Sequence, residues 1–268
     1  AKDKLSLSTT TKALCSFSSV INTLTFLAGL KALLINLLAS LYSTFSACNE
    51  ITSLDVSKMK TGKVVDMGYT FNGLDKLTSL DVSSFDTKNV IDMTYMFQGD
   101  NSLKLTGLNK FDTSQVTDMS FMFQGLNLMQ YFDISNFDTS LVTNTEAMFR
   151  NCVSLTSLDL SNFNTPDCEN MGYMFQHCTS LRSLNVKGLN TKNVKTMSHM
   201  FEDCKELTSL DLANFETPKV TSMENMFSDC IKVERIDLSK FDTKEVTLMA
   251  AMFSKCSSLI SIDLSKFN

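Results

Sequence analysis

The residues most able to do chemistry are acidic side chains that recur at a fixed spacing. Each Asp stands between two apolar residues of an alternating stretch, as in Leu158-Asp159-Leu160, and Ser often flanks that stretch. The positions are Asp55, Asp81, Asp133, Asp159, Asp211, Asp237 and Asp263. Since side chains alternate along a strand, we expect these carboxylates on the face opposite the core, on rungs about 4.8 Å apart.

Two interpretations of this acidic row stay open at this point. The carboxylates could form a binding face for a basic partner or for cations. Alternatively, the row is a solvated sheet face on which each Asp bonds to neighbouring Ser or backbone, with nearby lysines offsetting the repulsion between like charges. Gly107 and Asn185 interrupt the row.

A second row consists of cysteines that recur at the same interval as the aspartates. It comprises Cys152, Cys178, Cys204, Cys230 and Cys256, with Cys48 in the same register. Leu74 and Leu126 take this position in other repeats, which indicates an apolar, buried position and therefore small buried thiols. Disulfides between adjacent rungs are the alternative. A metal site is not expected, because the spacing is not C-x-x-C and His177 is the only histidine beside the row.

The sequence carries no pattern typical of an enzyme. His177 and His199 lie about one repeat apart on different parts of the unit, and no glycine-rich phosphate loop or H-E-x-x-H motif is present. We therefore predict no catalytic residues, no cofactor and no metal. A Thr in every unit predicts a side-chain bond to the backbone rather than an ice-binding face. Asp100 at a Cys position and Thr145 at a Met position are interpreted as local decay of the repeat.

These rows need an architecture with a 26-residue period, and a recurrent Phe supplies its anchor. That Phe occupies Phe45, Phe71, Phe97, Phe123, Phe149, Phe175, Phe201, Phe227 and Phe253. Within each unit, a period of two predicts a short strand, and apolar residues three and four apart predict a short helix. We therefore predict an α/β fold: a right-handed leucine-rich-repeat solenoid with a parallel sheet on the concave face and short helices on the convex face.

Units such as Ser154–Phe163 and Phe85–Val90 resemble the leucine-rich repeats of BspA-like surface proteins. They are also similar to the related mycoplasma-type repeats of unknown function. The resemblance covers residues 45–268, as eight repeats and a partial ninth. It implies cell-surface display and binding to proteins, matrix or other cells, and it carries no catalytic residue set.

The two ends of the chain depart from the repeat. Residues 1–44 form a polar arm followed by an apolar segment, 21–42, which is either a cap helix for the first coil or a membrane-contacting helix. The pattern stops at Asn268, just after a strand. We expect either a truncated repeat array there or an edge that contacts another chain.

These observations favour a non-catalytic protein-interaction or adhesion module at the cell surface or outside the cell. It would bind a protein partner through the Ser/Asp strand face. The alternative is a structural subunit or scaffold of a larger, membrane-associated assembly, with membrane contact through residues 21–42. The net charge of −5 argues against a nucleic-acid partner.

Overall fold

The computed structural model describes residues 39–268. Its strands are β1 (Ser79–Asp81), β2 (Lys104–Thr106), β3 (Ser157–Asp159) and β4 (Ser183–Asn185), and a 3-10 helix spans Leu108–Lys110. β1 pairs in parallel with β2, and β3 with β4. Each strand has one buried central residue between two side chains that are exposed or half-buried, which confirms the period-two prediction.

A longer parallel ladder runs along a different side of the coils and joins each coil to the next. It passes through Ser40, Asp66, Asp92, Asp118, Asn144, Asn170, Thr196, Ser222 and Leu248. Each step joins equivalent positions of consecutive repeats, so the sequence repeat is one turn of a stacked coil. The ladder already includes Ser40, which precedes the first repeat anchor, Phe45.

The short helices predicted for the convex face are not formed in residues 39–268, where the 3-10 helix is the only helical element. The segment from Asp92 to Gly99, with its copies in the other coils, is instead a series of tight turns; we call it the turn segment. Two of its residues adopt positive φ, Tyr95 at 55° and Gly99 at 83°. A left-handed residue interrupts an α-helix, so the spacing of three and four comes from successive turns.

Backbone hydrogen bonding in the turn segment explains why turns replace a helix. The N–H groups of Tyr95 and Phe97 donate to the carbonyls of Ser120 and Met122 in the next coil, both at 3.0 Å. The intervening N–H of Met96 donates to Met93 within the same coil, at 3.3 Å. Alternate N–H groups therefore bind neighbouring coils, whereas a helix would use all of them internally.

Columns of identical side chains fill the interior between the two ladders. The anchor rings stack on their copies, for example Phe71 on Phe97 at 5.6 Å and Phe97 on Phe123 at 6.0 Å between centroids. All three rings are fully buried. Each such ring pair adds about 0.5–1.5 kcal/mol beyond its buried area. The right-handed sense of the coil and the concave position of the strands stay predictions.

The strand ladder slips by one residue at β2. Asp81 of β1 pairs with Thr106, one position short of a full repeat, whereas Asp159 of β3 pairs with Asn185, a full repeat later. Gly107 is the residue left over by this slip, and its φ is 90°. A Cβ there would lie 2.3 Å from the backbone nitrogen of Ser83, so only glycine fits.

No helix within residues 39–268 has the length and apolar character needed to cross a membrane. The apolar segment 21–42, for which a cap or a membrane contact was predicted, lies outside the described residues apart from its last four.

Candidate binding face

The seven aspartates of the predicted binding row are all exposed. We call the exposed side of β1–β4 and of their copies in the other coils the strand face. Most of these carboxylates accept the backbone N–H two residues later, as Asp81 does from Ser83 and Asp159 from Ser161, both at 2.9 Å. Asp55, Asp237 and Asp263 do the same, and Asp211 does so at 3.2 Å. These six aspartates thus each close a turn at the end of a strand or of its copy, whereas Asp133 accepts the Ser135 hydroxyl at 3.3 Å.

These hydrogen bonds also favour the ionised form of five aspartates of the row. For Asp81, Asp159, Asp237 and Asp263, the backbone N–H and then the hydroxyl of the following serine hold the pKa below its ordinary value. For Asp55 the serine hydroxyl has the larger effect on the pKa. Hydrogen bonds to a carboxylate favour its charged form. The strand face is therefore an array of carboxylates in fixed orientations.

The two gaps in the row differ in the structure. Asn185 pairs with Asp159 and accepts the N–H of Lys187 at 3.2 Å, so it keeps the same turn without the charge. Gly107 is not on a rung at all, because the slip at β2 brings Thr106 to that position. Lysine partly offsets the charge, since Lys187 lies 3.4 Å from the carboxylate of Asp211.

The cysteine row lies in the interior. Its thiols are free, and each donates to the carbonyl of a Phe in the preceding coil, for example Cys178 to Phe149 and Cys204 to Phe175, both at 3.2 Å. Burial raises the pKa of these thiols, to about 12 for Cys178. Cys48, in the same register, is disulfide-bonded. Residues 39–268 contain no group of three or more potential metal ligands.

The threonine row joins consecutive coils through the predicted hydrogen bonds from side chain to backbone. The Thr165 hydroxyl donates to the Asn190 carbonyl at 3.1 Å and accepts the Asn190 N–H at 2.9 Å. The same double contact links Thr87 to Asp112. All eight threonines are buried, so this row cannot present a surface to ice or any other ligand.

The two positions interpreted as repeat decay are both buried, but only one of them leaves a polar atom without a hydrogen-bond partner. Thr145 is buried and its hydroxyl donates to the Asn170 carbonyl at 3.3 Å. Asp100 is also fully buried, and one of its oxygens accepts the Leu74 N–H at 2.5 Å while the other has no partner. Burial raises the pKa of Asp100 to about 8. The sequence placed Asp100 at an apolar position, but its interpretation as repeat decay did not predict a buried acid.

The two histidines each contact a different carboxylate. The Nδ1 atom of His177 lies 3.1 Å from the Asp203 carboxylate, and that of His199 lies 2.7 Å from the Glu202 carboxylate. The His199 ring also stacks on Tyr173 at 4.5 Å between centroids. Each imidazole is therefore held by its own acidic residue.

The strand face also carries a cleft that sequence analysis missed. It has a volume of about 510 Å³ and lies between β2 and the following coil, with Lys104, Met129 and Asp133 among its lining residues. Leu128 and Tyr131 also line it, and both are strongly exposed. The sequence did contain a signal for this cleft: Leu128 and Tyr131 are large apolar residues at positions that are polar in most other repeats.

Three solved structures share a likeness to this chain at low identity. A leucine-rich repeat protein from Bacteroides ovatus is 17% identical, with a TM-score of 0.44, over 81% of this chain and 56% of its own. One from Eubacterium ventriosum is 14% identical, with a TM-score of 0.35, over 83% and 41%. The functional domain of InlJ from Listeria monocytogenes, which includes a cysteine ladder, is 14% identical, with a TM-score of 0.20, over 80% and 49%.

The chain spans roughly half of the length of these proteins. No curated protein matches it. The family described as "Mycoplasma protein of unknown function, DUF285" matches residues 39–130, 101–209 and 182–268, which together cover every residue of the stacked coils. This match confirms the resemblance to the mycoplasma-type repeats, and the chain belongs to the DUF285 family of Mycoplasma proteins of unknown function.

Proposed function

We propose that the chain is a non-catalytic protein-interaction or adhesion module of a cell-surface protein. It binds a protein partner through the strand face. The observation that carries this proposal is the row of exposed aspartates, six of whose seven carboxylates are held by turn hydrogen bonds. The cell-surface setting rests on the resemblance to BspA-like surface repeats.

Fixed carboxylates suit recognition of a basic partner for an energetic reason. A side chain already held in one orientation loses little conformational freedom on binding, and each immobilised flexible side chain otherwise costs about 0.5–1.5 kcal/mol. A row of like charges also raises the association rate of a partner of opposite charge. The strand face therefore favours rapid binding of Lys- and Arg-rich protein surfaces.

A catalytic role has little chemical support in residues 39–268. The histidines are each paired with a separate carboxylate, and the acid with the strongly raised pKa, Asp100, is fully buried away from any substrate. The thiols of Cys152 and Cys178 are fully buried and held in the neutral form. Neither the buried acid nor these buried thiols combine access with an activating partner, which nucleophilic catalysis requires.

The test replaces charge while keeping shape. The triple variant Asp159→Asn, Asp211→Asn and Asp237→Asn keeps an oxygen for each turn hydrogen bond and removes three negative charges. The matched control changes Glu169, Glu216 and Glu245, which are exposed elsewhere on the coils, to Gln.

Beads coated with each full-length variant are incubated with a cultured epithelial monolayer and with isolated extracellular matrix. We expect the wild type and the Gln control to adhere, and the Asn triple variant to adhere at least tenfold less. Equal adherence of the Asn variant and the wild type would remove the strand face from the proposed function.

A further inference from the structure

The repeat supplies an internal standard against which single positions can be compared. The position of Leu128 is polar in every other copy: Glu50, Lys76, Ser102, Ser154, Ser180, Glu206, Lys232 and Ser258. The position of Tyr131 is Ser or Arg in most copies: Ser53, Ser79, Ser157, Ser183, Ser209, Arg235 and Ser261. Leu105 is the exception in the sequence. Because the slip at β2 pairs Lys104, and not Leu105, with Ser79, a polar residue occupies this rung too.

Both apolar residues are exposed, so neither substitution serves the core. Tyr131 exposes 70% of its surface and Leu128 exposes 50%. They belong to the same coil and line the same cleft of about 510 Å³. Single exposed apolar residues are ordinary on protein surfaces, but two that replace polar residues around one cleft indicate an interaction site.

The slip at β2 creates the cleft. Gly107 and the 3-10 helix occupy the space where the regular strand ends, and the backbone N–H of Leu105 points at the sulfur of Met129, 3.4 Å away. Met129 lines the cleft, and the flexible and polarisable side chain of a methionine adapts to different apolar ligands.

The charge around the cleft indicates which kind of segment fits. Asp133 lies at its edge, held by the side-chain amide of Asn109 at 2.8 Å. Asp159 on the next rung and Asp81 on β1 continue the negative row on either side. Among the residues that line the cleft, Lys104 is the single cation. An apolar side chain with basic neighbours complements this arrangement.

We propose that this cleft is the anchor site of the strand face: it takes one aromatic side chain from an extended, basic segment of a protein partner. Tyr131, Leu128 and Met129 contact the inserted ring, and Asp133, Asp159 and Asp81 pair with Lys or Arg residues that flank it. This inference rests on the proposed function and identifies the chemistry of the partner. Aromatic anchors in such sites carry most of the binding energy of an interface.

The probe is a fluorescein-labelled peptide of sequence SKSKFKSKS, measured by fluorescence anisotropy with the full chain at low salt. Two further peptides carry Ala in place of the central Phe, or Glu in place of every Lys. The test variant combines Leu128→Ser and Tyr131→Ser, which are the residues of neighbouring repeats. The control is Leu141→Ser, which alters another exposed apolar residue.

We expect the Phe peptide to bind the wild type and the Leu141 control equally. Removal of the Phe, or the double substitution in the chain, lowers the affinity at least tenfold, and the Glu peptide does not bind. Both variants should unfold at the same temperature as the wild type, because the altered side chains are exposed. Equal binding by the double variant, binding of the Glu peptide, or no binding of the Phe peptide overturns the inference.

The bead assay separates this inference from the proposed function. If the peptide fails to bind and the double variant still adheres, while the Asn triple variant does not, the strand face remains the binding face and the cleft is excluded. If the Asn triple variant also adheres, both proposals fail.

Discussion

Asp100 predicts an unusual dependence of stability on pH. Its carboxyl group occupies the cysteine position of its coil, is fully buried, and has one oxygen without a partner. Burial, with a smaller effect from the charge of Asp75, raises its pKa from 3.8 to about 8. The native state therefore keeps this proton at neutral pH, whereas the unfolded chain releases it.

The sign and size of the effect follow from the two pKa values. A raised pKa in the native state means that the stabilising contribution of Asp100 is fully present below pH 3.8 and is lost as the pH rises towards 8. Each pH unit in that interval removes about 1.4 kcal/mol. At pH 7 the accumulated loss is about 4 kcal/mol, a large part of the 5–15 kcal/mol typical of folded domains.

The substitution Asp100→Asn removes the titrating group and keeps an oxygen that accepts the Leu74 N–H. Asp100→Cys restores the residue found in other repeats. We expect both variants to gain several kcal/mol in free energy of unfolding over the wild type at pH 7.5, and to differ little from it at pH 4. Urea unfolding followed by circular dichroism between pH 4 and 8.5 measures this difference. A gap between wild type and Asn variant that stays constant with pH would refute the reasoning.

Three further predictions concern the contacts between coils. Gly188→Ala should destabilise the chain by several kcal/mol, because the new Cβ would lie 2.2 Å from a backbone oxygen, whereas Gly62→Ala meets only a movable side chain and should cost far less in thermal unfolding. Thr165→Val should lower the free energy of unfolding by about 1–3 kcal/mol through an unpaired backbone N–H, and Thr208→Val, at an exposed position, should be nearly neutral. Cys178 should resist iodoacetamide at pH 8 until urea unfolds the chain, as mass spectrometry of the alkylated protein would show.

The sequence predicted the coil, the length of its repeat and the burial of its Phe and Cys columns, because stacking copies of one unit leaves few other arrangements. The turn segment was predicted wrongly as a helix. Apolar residues three and four apart are typical of both a helix and successive turns, and Tyr95 gives no sign of positive φ from its residue type. Whether this segment forms a helix or turns depends on hydrogen bonds to the next coil. The spacing of apolar residues within one unit gives no information about those bonds.

The candidate site was predicted only in part. The exposure of the Asp row follows from alternation, and its turn hydrogen bonds were one of the two interpretations considered. The cleft depends on the slip at β2, where the deviation between Leu103 and Leu108 moves Lys104 and Thr106 onto the rungs. An unbroken repeat register places Gly107 there instead. The sequence alone therefore did not predict Tyr131 as part of a site.

The direction of the hydrogen bonds in the turn segments has an electrostatic consequence. Within residues 65–73, the N–H groups of Met67, Tyr69, Phe71 and Gly73 all donate to the next coil, and one N–H, that of Val65, donates to the preceding coil. Peptide dipoles that point the same way add, as they do along an α-helix. The stacked coils therefore carry an axial dipole whose positive pole lies toward the last coil, whereas an ordinary parallel sheet has almost none. An acidic group approaching along the stack axis is attracted to that pole and repelled by the other, so the two ends of the stack differ electrostatically even where their side chains are alike.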